Sequence, residues 1–116
     1  MIIVFADDHT VDVLPDIEAV RKECEAVDVE EGLYTFFDEL GRRLVPKLLE
    51  PVPRGSSFFG ALKWVGSARF ELELDSQDDE TLFENEIANV AAINPNPWFE
   101  SVADLARHVA DNRKQE

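Results

Sequence analysis

An α+β fold is predicted: an antiparallel sheet of about four to five strands with three helices packed mainly on one face, in the order β-α-β-β-β-β-α-α. Three observations lead there. Residues 69–75 alternate strictly between polar and apolar side chains, the mark of a strand with one face on a core and one in water. Val102, Leu105, Ala106 and Val109 repeat at three- and four-residue spacings, the mark of an amphipathic helix. Leu40-Gly41 separates two apolar runs as a hairpin turn would. The whole chain of 116 residues fits one domain.

The first strand covers residues 2–6. Ile2, Ile3, Val4, Phe5 and Ala6 are apolar without alternation, as in a strand covered on both faces. Asp7-Asp8-His9-Thr10 turns, and residues 11–14 form a short second strand or an extended connection. A helix starts at Pro15 or Asp16, where Asp16 and Glu18 suit its positive end; Ile17, Val20, Cys24 and Val27 form its buried stripe.

Residues 33–38 and 43–49 form the hairpin, with Gly41 free to take a positive φ. Pro46 has no N–H for a ladder, which puts the second arm at a sheet edge or a bulge. Pro51, Pro53 and Gly55 break the chain into a loop. A strand at 58–65 and a turn or bulge at Gly66-Ser67 then lead to the alternating strand, where Phe70, Leu72 and Leu74 face the core and Glu71 and Glu73 face water.

The second helix runs from Asp78 or Asp79 to Ile93 on the stripe Phe83, Ile87, Val90 and Ala91, and Asn94-Pro95-Asn96-Pro97 stops it. The last helix runs from Ser101 to Asn112, capped by Ser101, and residues 113–116 fray.

Charge bounds the function. Twenty-five acids face eleven bases, for a net −14. Such a chain repels phosphate backbones and anionic lipid surfaces, which argues against direct nucleic-acid binding and against membrane association. The charge is uneven: −8 over residues 1–31, +2 over 32–65 and −8 over 66–116. Cys24 is the sole cysteine, so no intrachain disulfide forms. A reducing compartment is expected, and with no apolar run near the length of a leader or a span, the cytoplasm.

Chemistry-bearing residues are few. His9 stands with Asp7, Asp8 and Asp12 in a set that suits a divalent cation, yet a polar turn after a buried strand uses the same residue types to satisfy backbone groups. His108 suits the negative end of the last helix. Cys24 lies on a buried stripe between Glu23 and Glu25, which disfavours a thiolate. No phosphate-binding, nucleophile-elbow or zinc-binding spacing occurs, so no catalytic residue, cofactor or metal is expected.

The aromatics pull the other way from a one-sided sheet. If Leu33, Thr35 and Phe37 face the core, Tyr34 and Phe36 face away from it, so either helices cover part of the second face or an apolar patch is exposed.

These features favour a small acidic protein-binding module with a basic protein partner. The acids Asp75, Asp78, Asp79 and Glu80 crowd one strand end and helix start without a local counter-charge, and they are the expected docking residues. In size and charge alone the chain is similar to small immunity and antitoxin proteins that inhibit basic nucleases. The alternatives are a small enzyme or ligand-binding domain with a pocket between sheet and helices, and a homo-oligomer, a homodimer in the simplest case, that buries the extra aromatics.

Overall fold

A computed structural model describes residues 1–48 and 70–114, without the side chains of Ala26, Val27, Leu48 and Glu80. The loop predicted around 51–55, the strand predicted at 58–65 and the turn at 66–67 lie outside those residues.

The described elements are β1 (Ile2–Ala6), β2 (Thr10–Leu14), α1 (Ile17–Glu23), α2 (Ala26–Glu30), β3 (Tyr34–Asp38), β4 (Arg43–Leu48), β5 (Phe70–Leu74), α3 (Glu80–Asn89), β6 (Ala92–Ile93) and α4 (Val102–Lys114). The strands form one sheet in the order β5-β4-β3-β1-β2-β6. Every neighbouring pair is antiparallel except β2 and β6, which run parallel. The fold is thus mixed α+β, but the expected four to five strands become six and the three helices become four among the described residues.

The larger correction concerns the faces. Helices pack on both sides of the sheet, not mainly on one. On the first face Val4, Phe36 and Phe70 are buried against Val20, Cys24 and Val29 of the α1–α2 segment. On the second face Ile3, Phe5, Val11, Val13 and Phe37 are buried against Phe83 of α3 and Leu105 and Val109 of α4. The cause is β1 itself: its unbroken apolar run puts Ile3 and Phe5 on one side and Val4 on the other, and each side needs cover. Phe36 and Phe37, adjacent in β3, are therefore both buried on opposite faces. On the second face Phe5, Phe37 and Phe83 close a three-ring cluster, with centroids 5.3–5.7 Å apart and edge-to-face tilts.

The first face is built by a broken helix. Asp16 caps α1, its carboxylate accepting the Ala19 N–H at 2.9 Å. The predicted continuous stripe stops at Cys24, which takes an extended conformation while its N–H still reaches the Val20 carbonyl. The chain restarts as α2, and Val29 becomes the next buried residue. Gly32, at φ +80, then closes α2 with the paired bonds of a Schellman cap: Leu33 N–H to Asp28 O and Gly32 N–H to Val29 O. The Arg21 side chain ties α1 to the sheet, donating to the Phe70 carbonyl at 3.1 Å.

Pro46 does not place β4 at an edge. Arg43 O accepts from Asp75 N, so the backbone groups of residues 43, 45 and 47 address β5 and those of 44 and 46 address β3. The β3 ladder reaches only Arg43 and Leu44, so the missing N–H of Pro46 falls beyond its end. Among the described residues the edge is β5 instead. Phe70 is buried there and Glu71 and Glu73 are exposed, as expected, but Leu74 is 53% exposed, against expectation.

The C-terminal half departs at two points. The second helix stops at Asn89 rather than Ile93, because Ala92 and Ile93 pair with β2 and the Ala91 N–H binds the His9 carbonyl at 2.7 Å. The last helix runs on to Lys114, where fraying was expected from 113. Arg113 holds it by donating to the carbonyls of Leu40 and Gly41, the latter at 2.6 Å. No helix among the described residues is long and apolar enough to cross a membrane.

Gly41 and Cys24 yield direct tests. Gly41 has φ +73, and a Cβ there would stand 2.8 Å from Val109 Cγ1, whereas Gly32 has open space around it. Gly32→Ala is expected to cost about 1–2 kcal/mol from its backbone alone, and Gly41→Ala more, read as urea midpoints at unchanged m-value. Burial, with help from Asp12, Glu23 and Asp28, pushes the Cys24 thiol up to about 12. A thiol reagent at neutral pH is expected to label Cys24 far more slowly in the native protein than in denaturant; equal rates would contradict its place in the core.

Candidate functional site

The four acids expected to dock a partner do lie together, in the loop between β5 and α3 and at the first residue of α3. The structure supplies the local counter-charge that the sequence did not show. The Asp75 carboxylate accepts the Gln77 N–H at 2.9 Å and stands 3.9 Å from Arg43 Nε. Asp78 reaches across the chain to accept the Arg43 N–H at 2.8 Å. Asp79 caps α3, accepting the N–H and hydroxyl of Thr81 at 2.8 and 2.9 Å. Those bonds hold its carboxyl below the usual carboxylate range, with a further pull from Arg113. The side chain of Glu80 is not among those described.

This end of the sheet is where the basic residues gather. Asp38 organises the β3–β4 turn by accepting from Leu40 N, Arg42 N and Arg42 Nε at 2.8–2.9 Å. Asn112 and Arg113 of α4 bind the backbone of Glu39, Leu40 and Gly41. His108 stands 3.6 Å from Glu39 and packs on Phe99 at a centroid distance of 5.1 Å, midway along α4 and not near its negative end as expected, because the helix runs on to Lys114. Arg43 of the hairpin is therefore the counterpart of Asp75, through its side chain, and of Asp78, through its backbone N–H, while Asp79 is met by Thr81 and Arg113.

The opposite end of the sheet differs. The β1–β2 turn closes with His9 N–H on the Ala6 carbonyl at 3.2 Å, and His9 sits in the left-handed region at φ 67. Asp8 accepts the amide and hydroxyl of Thr10, at 3.1 and 2.6 Å, and the hydroxyl above all lowers its pKa. Turn geometry thus accounts for Asp8 and His9. No three His, Cys, Asp or Glu side chains among the described residues converge closely enough to hold a metal ion.

Beside this turn an open cleft of about 310 Å³ lies between the sheet end and α3, lined by Phe5, Asp7, His9, Thr35, Glu86 and Asn89 among others. Its polar lining has no lysine or arginine among the described residues. The last turn of α3, whose backbone end is negative, also carries no base. Asp7 and Glu86 form no ion pair among the described residues. Neither do Glu25 and Asp28, whose charges, with that of Asp7, reach Tyr34; burial first, then Cys24, then these acids push its phenol upward. The sequence pointed to Asp7 and His9 through the polar turn. It could not show Glu86, which lies nearly eighty residues away and reaches the turn only because α3 crosses the second face.

The uses of the acids can be separated by stability. Asp78→Ala leaves the Arg43 N–H without its acceptor and is expected to cost about 1 kcal/mol, with Asp78→Asn recovering part of it. Glu86→Gln is expected to stay within about 0.5 kcal/mol of wild type. Chemical denaturation of the three variants reads both effects. Set against known proteins, the chain matches no family model, no curated protein and no solved structure.

Proposed function

We propose that this chain is a non-catalytic binding module for a basic protein partner, acting as small acidic inhibitors of basic proteins do. The observation that carries this reading is the separation of charge. Acids at the β3–β4 end have partners in Arg42, Arg43 and Arg113, whereas Asp7, Glu25, Asp28 and Glu86 at the β1–β2 end have none among the described residues. Like charges gathered without counter-charges raise the free energy of the free protein, and a basic surface laid over them removes that cost. The acidic end around Asp7 and Glu86 is the primary docking surface in this reading. Asp75, Asp78, Asp79 and Glu80 form a second one, partly offset by Arg43 and Arg113.

The cleft itself supports a second reading, a small-ligand site, because Asp7, His9, Thr35, Glu86 and Asn89 bring polar groups of several kinds to one opening.

The test is association kinetics with the partner recovered by affinity capture. The on-rate is expected to fall steeply as salt rises. Asp7→Lys with Glu86→Lys is expected to lower it about tenfold, and reversal of Asp75 and Asp79 to lower it less. An on-rate indifferent to salt and to both pairs of substitutions would exclude the docking reading, and would leave the cleft to be tested for small ligands.

A further inference from the structure

The segment joining β6 to α4 presents one large aromatic side chain to solvent on a backbone that is held at each step. Asn94 binds the edge of β2 twice, its N–H on the Val11 carbonyl at 2.9 Å and its side-chain amide on the Asp12 carboxylate at 2.8 Å. Asn96 folds back to bind the Asn94 carbonyl at 3.0 Å. Its side-chain oxygen then accepts the N–H groups of both Trp98 and Phe99, at 2.9 and 2.8 Å. Pro95 and Pro97 fix φ on either side of Asn96. Ser101 caps the helix that follows, accepting the Asp104 N–H at 3.1 Å.

The two aromatic residues of this segment go opposite ways. Phe99 turns in, against the second-face core and the His108 ring. Trp98 stays out, 43% exposed, and with Leu74 it is one of two large hydrophobic side chains exposed among the described residues. Leu74 sits on β5, an edge strand among the described residues. Trp98 sits on a loop tip whose bonds hold the backbone in place, so little freedom remains for a partner to remove on binding. A half-exposed tryptophan on a hydrogen-bonded backbone is a residue type enriched among those that dominate binding energy in protein interfaces.

The surroundings select the partner chemistry. Residues 94–106 contain Glu100 and Asp104 and no lysine, arginine or histidine. Asp104 has Arg107 at 3.6 Å, while Glu100 is exposed and has no ion pair among the described residues. Trp98 and Glu100 are both exposed and two residues apart, and an indole and a carboxylate so spaced suit a planar cation, which stacks on the ring and pairs with the acid.

We propose that Trp98 is the aromatic anchor of a docking surface, receiving an arginine side chain of the basic partner against its indole face while Glu100 pairs with the guanidinium. The anchor rests on the basic partner proposed above, but not on which acidic end that partner covers.

The test uses the full chain and two probes, a hexa-arginine peptide and its hexa-citrulline counterpart, which keeps the shape and loses the charge. The indole N–H signal of Trp98, identified by its loss in Trp98→Phe, is followed by two-dimensional NMR. The arginine peptide is expected to shift it saturably at moderate salt and the citrulline peptide to leave it in place. Trp98→Leu, which keeps an apolar side chain on an exposed site, is expected to weaken the arginine peptide about two- to fivefold; Glu100→Gln is expected to weaken it further. An unmoved Trp98 signal with salt-sensitive peptide binding elsewhere overturns the anchor and leaves the basic partner standing. A peptide that moves no signal even at low salt overturns both.

Discussion

Two-sided burial of β1 is the constraint on which the rest of the structure depends. Ile3, Val4 and Phe5 are 0, 1 and 3% exposed, and they alternate between the two faces. A strand with apolar side chains on both sides cannot sit in a sheet open to water on one of them. It needs two layers of cover, and the chain supplies them in sequence order, α1 and α2 on the first face before β3, then α3 and α4 on the second face after β5. The burial of Cys24, the opposed pair Phe36 and Phe37 and the ring cluster of Phe5, Phe37 and Phe83 all follow from that requirement.

Covering the second face also sorts the charges. For α3 to begin beside β5 and cross to the β1–β2 turn, its start must be fastened, and Asp78 and Asp79 do this through Arg43 and Thr81. For α4 to return, Arg113 must reach the β3–β4 turn. Among the described residues, Arg42, Arg43 and Arg113 are therefore used at one end. Acids at the other end, Asp7 and Glu86 among them, have no counter-charge among the described residues, and α3 carries one of them there. Fold and electrostatics are linked through the path of a single helix, which carries Glu86 to the end where Asp7 also has no ion pair among the described residues.

Much of this was legible in the sequence, and what was not has identifiable causes. β1, the β3–β4 hairpin, the existence of β5 and the Ser101 cap are local signals, and local signals were sufficient for them, but the alternation of β5 did not fix its burial, since Leu72 is half-buried and Leu74 exposed. The unbroken apolar run of β1 already implied cover on both faces; the one-sided expectation came from giving the alternation of β5 more weight, although among the described residues β5 is an edge strand and β1 is central. β6 was hidden because Ala92 and Ile93 are compatible with a helix and become a strand only by pairing with β2. α2 was hidden inside a stripe that continued past Cys24, although Gly32 after two glutamates marked its end. The acids of the β5–α3 loop looked unpartnered because Arg43 and Arg113 lie more than thirty residues away in either direction. The cleft required Glu86 and Asp7 to line one opening, a long-range placement that no local pattern encodes.

The most direct measurement of the central claim is native-state hydrogen exchange resolved by residue. A strand buried on both faces can release its amides only when both helix layers leave, so the amides of Ile3, Val4 and Phe5, with their partners Phe36 and Phe37 in β3, are predicted to exchange only through global unfolding. Those of β5 and β6 at the edges are predicted to exchange through smaller openings. Exchange of the β1 amides at a free energy well below global unfolding, or no slower than that of β6, would contradict a sheet organised around a central strand covered on both sides.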